Sequence, residues 1–254
     1  FDRVKQSYPQ AGSSFKPFIY SSAFANGYNA SDKINDAPIV FEDDNLESIW
    51  RPENYTGKFY GPIRLREALV QSVNLVSIKL LREMGIPPTQ DFLSRFGFSQ
   101  SRLAPDLSLA LGSSSFSPAE MVRAYSILVN SESPKDLFFI ERIIDRNGKI
   151  IFDNSQIKNS TKNMNAFPWF QTKLTEEIQP FYLLSPLKKE SLERIDPRAT
   201  FITKDILREA LSRGSNGIKT RVLNRSDIAG KTGTTNDAIS TWFSGFHNDL
   251  VTTV

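Results

Sequence analysis

The order of two hydrophobic patterns along the chain constrains its fold more than any other feature. Helical spacing dominates the first half, where for example Val76, Leu80 and Met84 lie four residues apart on one helical face. Short β-type runs separated by turn residues close the chain. These runs are 227–233, 241–246 and 249–254. Helices followed by successive antiparallel strands predict an α+β domain with helices packed on a sheet.

Three further segments fit this architecture. Pro62 predicts the start of a helix, because proline is favoured at the first helical position. Residues 138–153 predict a hairpin, since two β-branched runs flank the turn pair Asn147-Gly148. Residues 196–214 predict a long helix that ends at its last glycine.

Two polar stretches lie between these elements. Residues 28–59 lack a regular hydrophobic period and predict loops. Residues 154–200 are polar with scattered aromatics and are interpreted as a variable insertion within the domain. The chain also begins without methionine and stops within a predicted strand, so we expect it to be truncated at both ends, with an incomplete sheet.

Composition excludes several classes of function. The chain has no cysteine, which rules out disulfides, thiolate catalysis and cysteine-based metal sites. Its one histidine, His247, lies in a predicted turn, which disfavours a Ser-His-Asp triad. The net charge is only +3 and no dense Lys/Arg block occurs, so nucleic-acid binding is disfavoured. We therefore expect no metal, no cofactor and no nucleic-acid partner.

A Ser-x-x-Lys pattern at Ser13 and Lys16 is the first candidate for chemistry. Residues three apart share one helical face, so the two side chains could touch. A serine hydroxyl is a poor nucleophile until a base takes its proton, and a desolvated, neutral lysine can be that base. Pro17 restricts this pattern to the first turn of a helix, where backbone N–H groups favour a developing negative charge. The same pattern recurs at Ser155…Lys158 and Ser185…Lys188, which we interpret as solvated surface.

A second glycine-serine stretch, "GSSSFSP" at 112–118, repeats the first without the lysine. Ser117, Pro118 and Glu120 form a capping box at the start of a predicted helix. Helix initiation alone therefore accounts for this stretch.

Two more short patterns each occur once. Ser72-x-Asn74 lies between two predicted helices, where Asn74 either caps the second helix or offers its amide to a substrate. Lys231-Thr232-Gly233 lies on a predicted strand. The missing side chain of Gly233 lets another backbone or a ligand approach, or simply marks a strand that ends in a turn.

These three patterns, in this order, form the signature set of penicillin-binding proteins and serine β-lactamases. Longer segments at 12–20, 59–74, 108–125 and 228–246 extend the likeness over most of the chain except 154–200. The chain resembles the transpeptidase domain of class A, bifunctional penicillin-binding proteins, most like the 1A type of Gram-negative bacteria. The resemblance implies one domain over 1–254 and an antiparallel sheet with helices on both faces.

The resemblance also implies catalytic roles. Ser13 would attack the penultimate D-Ala carbonyl of a peptidoglycan stem peptide and form an acyl-enzyme. Lys16 would be its base, although base assignments in this superfamily are disputed. Ser72 would relay a proton to the leaving nitrogen, and Lys231 would keep the site electropositive. The second motif is Ser-Val-Asn and not the Ser-Asp-Asn of class A β-lactamases, and no glutamate for activating water is identified, so slow hydrolysis is expected.

Binding roles follow in the same way. Asn74 would hold the substrate's backbone amide, and Thr232 and Thr234 would bind its terminal carboxylate. Gly233 would keep the strand edge open. The backbone N–H groups of Ser13 and Thr234 would form the oxyanion hole.

Partners and alternatives complete the expectation. Stem peptides and β-lactam antibiotics are the implied ligands, and the implied location is the periplasmic face of the inner membrane, through an anchor absent from this chain. A parent protein would also carry a glycosyltransferase domain. The motifs alone leave open a D,D-carboxypeptidase or β-lactamase, in which water replaces the acceptor amine, and a penicillin-sensing module without turnover.

Overall fold

The computed structural model describes residues 1–39, 50–130, 137–153, 194–214, 220, 222–235 and 240–254. The chain divides into two compact units, a larger one of Phe1–Pro134 and Lys189–Val254 and a smaller one of Lys135–Lys188. The described helices are α1 (Arg3–Gln6), α2 (Lys16–Ala25), α3 (Leu65–Val70), α4 (Asn74–Met84), α5 (Ile86–Ser94), α6 (Pro118–Asn130) and α7 (Pro197–Arg213). Across these ranges, no helix is both long and apolar enough to cross a membrane.

The described strands form three separate antiparallel sheets. They are β1 (Lys33–Asp36), β2 (Gly61–Arg64), β3 (Arg142–Ile144), β4 (Ile150–Asp153), β5 (Ala229–Thr234), β6 (Thr241–Phe246) and β7 (Val251–Thr253). The last three strands form one sheet in the order β5-β6-β7, while β1 pairs with β2 and β3 with β4. The predicted α+β class and the predicted closing strands are confirmed.

The alternation of side chains along β5 determines which of them point into the molecule, because successive side chains of a strand point to opposite faces of the sheet. Lys231 pairs across the ladder with Ser244, and Gly233 pairs with Trp242. Ser244 and Trp242 are buried, whereas Thr234 on the other face of β5 is exposed. The Lys231 side chain therefore points into the molecule rather than into solvent.

Helix α2 is the central element of the larger unit. Every residue from Lys16 to Phe24 is buried. Phe15 and Phe18 belong to one hydrophobic cluster with α4, α5 and α6, and Tyr20 and Phe24 belong to a second cluster with α3 and α7. A helix that is buried all round is held by packing on each side, which fixes the residues at its N-terminus.

One of the predicted helix starts, at Pro62, is wrong. Pro62 lies in β2, opposite Asn35 of β1, and α3 begins only at Leu65. The predicted loop 28–59 accordingly contains strand β1. Proline is tolerated in a two-stranded ribbon, because an edge strand leaves N–H positions that need no ladder partner. The sequence lacks a clear period here, since each strand has only four residues.

The predicted hairpin is confirmed within the smaller unit, where β3 and β4 flank a turn with Gly148 at φ +81°. Residues 154–193 lie outside the described residues, and with them both surface Ser-x-x-Lys patterns. Residues 197–200, at the end of the proposed insertion, belong to the predicted long helix α7. The insertion itself stays a prediction.

Candidate active site

Ser13 lies on a 3₁₀ turn, Gly12–Phe15, that leads directly into α2. Pro17 occupies the first turn of α2, as its missing N–H requires. Two buried hydrogen bonds fix the turn. The Tyr125 hydroxyl donates to the Ser14 carbonyl at 2.6 Å, and the Ser14 hydroxyl donates to the Ala11 carbonyl at 2.6 Å. The predicted position of Ser13 at a helix N-terminus is confirmed.

Glycines let the Lys-Thr-Gly strand pack directly on this turn. A Cβ atom at Gly233 would lie 2.6 Å from the Ala11 carbonyl oxygen and 2.9 Å from the Ser14 nitrogen. A Cβ atom at Gly12, whose φ is +55°, would lie 2.9 Å from the Thr234 carbonyl oxygen. Of the two predicted uses of Gly233, the close approach of another backbone is the one observed.

Lys16 joins the first two motifs. Its fully buried ammonium nitrogen donates to Asn74 Oδ1 at 2.6 Å, to the Ser72 carbonyl at 2.7 Å and to Ser72 Oγ at 3.4 Å. Burial, and then the positive charge of Lys231, lower the pKa of Lys16 well below its ordinary value of 10.5. Both effects favour the neutral amine, which is the form that can accept a proton.

The two short hydrogen bonds at Lys16 are as many as a neutral amine can donate. An ammonium group has three donors and no acceptor, whereas a neutral amine has two donors and one lone pair. Two of the three contacts are short, and the contact to Ser72 Oγ is long. Among the described residues, the Ser13 hydroxyl makes no hydrogen bond, so the predicted Ser13–Lys16 pairing is not formed in this structure. A neutral Lys16 that keeps its two short bonds has its lone pair free.

Ser72 reaches Lys16 through an unusual backbone conformation. Its φ is +57°, in the left-handed region that non-glycine residues rarely adopt. The flanking turn is held by hydrogen bonds from Ser72 N to the Leu69 carbonyl and from Val73 N to the Ala68 carbonyl. The left-handed residue between α3 and α4 turns both the carbonyl and the hydroxyl of Ser72 toward Lys16.

Asn74 does not cap α4 with its side chain, so that alternative is wrong. Asn74 is the first residue of α4, its Oδ1 accepts from Lys16, and its Nδ2 donates to the Glu53 carbonyl at 2.8 Å. The cap comes from Asn54, whose Oδ1 accepts from the backbone N–H groups of Asn74 and Leu75. No sequence pattern indicated Asn54, because a cap from twenty residues away has no fixed spacing.

Lys231 supplies a second buried positive charge. Its side chain is 3% exposed, and burial lowers its pKa to about 7. Its nitrogen donates to the carbonyl of Thr232 at 3.0 Å. Lys231 also lowers the pKa of Lys16, so the first and third motifs interact electrostatically.

These groups surround an open cavity of about 190 Å³. Three of the predicted site residues, Ser13, Asn74 and Thr234, line it directly. The full lining is Gln10, Gly12, Ser13, Trp50, Asn74, Ser108, Leu111, Gly112, Ser113, Thr234 and Thr235. Lys16 and Lys231 are buried beside these walls, and Trp50, Leu111 and Gln10 were not predicted.

The second glycine-serine stretch is part of this cavity, which corrects the interpretation that it only starts a helix. The capping box is confirmed, because Ser117 N–H donates to Glu120 at 2.9 Å and Glu120 N–H donates to Ser117 Oγ at 3.3 Å. In addition, Gly12 N–H donates to the Gly112 carbonyl at 2.9 Å. Gly112 and Ser113 line the cavity beside Ser13. The similarity of this stretch to the one around Ser13 was the sequence signal for its place in the cavity.

The remaining predicted groups are placed as follows. Thr232 is half-buried on β5, two residues before the cavity-lining Thr234. His247 lies in the turn between β6 and β7, where its N–H donates to the Leu250 carbonyl, and this predicted turn role is confirmed. A search of the described residues finds no cluster of acidic or histidine side chains able to hold a metal ion.

Comparisons with known proteins agree with this geometry. A family model described as the penicillin binding protein transpeptidase domain matches residues 2–248. Penicillin-binding protein 1A of Pseudomonas aeruginosa is 37% identical over all of this chain and 33% of its own length. Penicillin-binding protein 1A of Neisseria lactamica is 37% identical over all of this chain and 28% of its own length. The chain thus spans about a third of the length of these curated relatives.

Solved structures give the same result. Penicillin-binding protein 1A from Haemophilus influenzae superposes with a TM-score of 0.76 at 33% identity, over all of this chain and 38% of that one. Penicillin-binding protein A from Mycobacterium tuberculosis, solved as an imipenem acyl-enzyme complex, gives a TM-score of 0.71 at 15% identity over all of this chain and 55% of that one, a likeness of fold alone. The resemblance to the 1A type is confirmed, and the chain belongs to the penicillin-binding protein transpeptidase family.

Proposed function

We propose that this domain is a peptidoglycan D,D-transpeptidase that forms an acyl-enzyme on Ser13 and transfers the acyl group to an amine. The observation that carries the proposal is Lys16, a buried lysine held by Ser72 and Asn74 with a pKa lowered by burial and by Lys231. Ser13, one helical turn before it, lines the cavity. Serine nucleophilic catalysis requires a base with a lowered pKa near a hydroxyl that faces the cavity.

Acylation begins when the Ser13 hydroxyl gives its proton to the lone pair of Lys16. The Ser13 oxygen then attacks the penultimate D-Ala carbonyl, and its carbon becomes tetrahedral. The backbone N–H groups of Ser13 and Thr234 receive the developing oxyanion, and each such donor typically contributes ~3 kcal/mol. Gly12, the residue before Ser13, packs on Thr234, since a Cβ atom at Gly12 would lie 3.3 Å from the Thr234 nitrogen, and this supports placing the two donors near each other.

Collapse of the tetrahedral intermediate breaks the peptide C–N bond and releases D-Ala. The leaving nitrogen takes a proton from the Ser72 hydroxyl, which regains one from Lys16. The 3.4 Å separation between Lys16 Nζ and Ser72 Oγ supports this relay. The same route runs backward in the second step, in which an acceptor amine loses a proton, attacks the acyl carbon and frees Ser13.

Binding follows from charge and from hydrogen-bonding capacity. Lys231 attracts the terminal carboxylate, and Thr232 and Thr234 donate to it from β5. Asn74 uses its amide toward the donor peptide while Lys16 fixes its orientation. β-Lactams bear a carboxylate and a strained amide, so they acylate Ser13 in the same way and leave slowly. The family to which the chain belongs is described as penicillin-binding, which supports this extension.

The setting of the reaction is also part of the proposal. Because the relatives are about three times longer than this chain, we infer that a parent protein carries a glycosyltransferase domain and a membrane anchor outside it. The domain would then act at the periplasmic face of the inner membrane.

The test uses a stem-peptide mimic ending in D-Ala-D-Ala together with a separate amine acceptor and the full-length protein. We expect release of D-Ala and formation of the cross-linked product, and loss of both in Ser13→Ala. Product that is only hydrolysed would identify a D,D-carboxypeptidase, and penicillin labelling without D-Ala release would identify a sensor.

Mass spectrometry after treatment with a β-lactam locates the nucleophile independently. The adduct is expected on the peptide that contains Ser13. An adduct on Ser113, Ser114 or Ser115 would contradict the assignment. Ser113→Ala is the matched control, because Ser113 lines the same cavity but lacks a neighbouring lysine.

A further inference from the structure

Helix α4 begins at Asn74, the last residue of the Ser-x-Asn motif, and this N-terminal end is capped from a distant segment. The residue before the helix, Val73, has no side chain that could accept a hydrogen bond. Asn54 supplies the cap, and its Oδ1 accepts from Asn74 N–H at 3.0 Å and from Leu75 N–H at 3.3 Å. The first free N–H groups of a helix need such acceptors.

The other end of the Asn54 amide is fixed by a buried carboxylate. Asn54 Nδ2 donates to both carboxylate oxygens of Asp36 at 2.9 Å and to the Lys58 carbonyl at 2.9 Å. Tyr60 N–H donates to the same carboxylate at 2.8 Å. Asp36 is fully buried and Asn54 is 6% exposed. Because an unpaired polar group is costly when buried, the amide has one favoured orientation, nitrogen toward Asp36 and oxygen toward the helix.

This arrangement holds Asn74 at two points. Its backbone N–H is bound by the Asn54 side chain, and its side-chain Nδ2 donates to the carbonyl of Glu53, the residue before Asn54. The remaining polar atom of the Asn74 side chain, Oδ1, accepts from Lys16 at 2.6 Å. Segment 53–54 therefore determines where Asn74 presents its oxygen to the base.

We propose that the Asn54–Asp36 pair is a positioning pair for the reaction: Asp36 orients the Asn54 amide, and Asn54 fixes the start of α4 so that Asn74 and Ser72 engage Lys16. This inference rests on the proposed function. Neither residue lines the cavity, and neither lies in the three motifs. The alternative is that Asn54 only stabilises α4, as any helix cap does, and has no effect on the acylation rate.

The experiment exchanges the two side chains. In Asn54→Asp, two carboxylates meet and the donor to Asp36 is lost, so the start of α4 shifts. We expect acylation of the full-length protein by a fluorescent penicillin to slow by about 10- to 100-fold, the effect of small misplacement of a catalytic group. Adding Asp36→Asn restores an amide–carboxylate pair, since residue 36 then donates and residue 54 still accepts from Asn74 and Leu75. The double variant should react at least about threefold faster than Asn54→Asp alone, because it regains a donor to the carboxylate and keeps the acceptor of the cap, while the Lys58 carbonyl loses its donor in both variants.

The control removes a cap elsewhere. Asp196 caps α7 by accepting from Arg198 N–H at 2.9 Å and contacts none of the site residues. Asp196→Ala should lower thermal stability while the acylation rate per folded molecule stays unchanged. The inference is overturned if folded Asn54→Asp reacts at the wild-type rate, or if the folded double variant stays as slow as Asn54→Asp. A wild-type protein that fails to react would instead overturn the proposed function.

Discussion

The two glycine-serine stretches use nearly the same residues to do different work on one cavity. Residues 12–17 place Ser13 on a turn above a fully buried lysine. Residues 112–118 line the cavity with Gly112 and Ser113 and then start α6 through the Ser117–Glu120 capping box. The two stretches contact each other through their backbones, since Gly12 N–H donates to the Gly112 carbonyl at 2.9 Å.

The difference shows that a serine in such a turn becomes a candidate nucleophile only when a group able to accept its proton lies next to it. Behind Ser13 lies an amine whose pKa is lowered by burial and by Lys231. Behind Ser114 lies no such base: its hydroxyl accepts from the Ala104 N–H at 2.9 Å and is 5% exposed. Its hydroxyl serves the fold and is closed to substrate.

Removing the base should give the largest effect. Lys16→Met keeps an apolar stem of similar length but has no nitrogen to take the Ser13 proton. We expect acylation by a fluorescent penicillin to fall by about 10²- to 10⁴-fold, the usual contribution of a positioned acid–base group. Stopped-flow labelling measures it. Lys79→Met is the matched control, because Lys79 also donates to carbonyls, those of Asn35 and Ala37, but outside the site. A Lys16→Met protein that reacts at the rate of Lys79→Met would remove the distinction between the stretches.

Breaking the contact between the stretches should give the next largest effect. A Cβ atom at Gly112, whose φ is +77°, would lie 2.0 Å from the Gly12 carbonyl oxygen. Since both partners are backbone, neither can rotate away, and Gly112→Ala should cost about 3 kcal/mol or more of unfolding free energy, in the range of severe overpacking. Gly27→Ala controls for backbone strain alone, because its φ is +94° with no atom within 4 Å. It should cost only about 1–2 kcal/mol. Denaturant unfolding compares the two, and equal losses would show that the contact is not tight.

Much of this site could be predicted from the sequence, because the spacing within each motif fixes local geometry. Pro17 confines Ser13 to a helix start, and Gly233 permits a close backbone approach. The hairpin around Asn147-Gly148 and the stop of α4 before Gly85 follow from similar local rules.

The missed features are those set by distant contacts. Asn54 caps a helix twenty residues further on, and nothing in its neighbours indicates this. Pro62 belongs to a strand only because β1 pairs with it. The left-handed backbone of Ser72 contradicts local preference and is imposed by the junction of α3 and α4. Contacts with residues distant in sequence determine each of these three features, so no local sequence pattern predicts them.

The charge behind Ser13 should also set the pH dependence. Burial lowers the pKa of Lys231 to about 7, so Lys231 is charged below that pH and loses its proton as pH rises through it. Binding of a carboxylate-bearing β-lactam needs the charged form, and kcat/KM for acylation should therefore fall about tenfold per pH unit above about 7. Lys231→Met should be slower and lack this decline. Acylation also needs neutral Lys16, so the rate rises with pH as Lys16 loses its proton. In Lys231→Met this rise should move to higher pH, because the like charge that lowers the pKa of Lys16 is gone. An unchanged decline in Lys231→Met would assign that titration to another group.

The smallest effect should come from the serine of the second stretch that has only a structural role. Ser117→Ala removes the hydroxyl that accepts from Glu120 N–H, and the loss of one capping bond typically costs ~1 kcal/mol. Glu120 keeps its ion pair with Arg102, so the buried carboxylate is not left without a partner. The thermal midpoint should fall while the acylation rate per folded molecule stays at the wild-type value, in contrast to Ser13→Ala. A slowed rate at full folding would mean that the capping box also sets the cavity wall at Gly112 and Ser113, and the two stretches would then act as one catalytic unit.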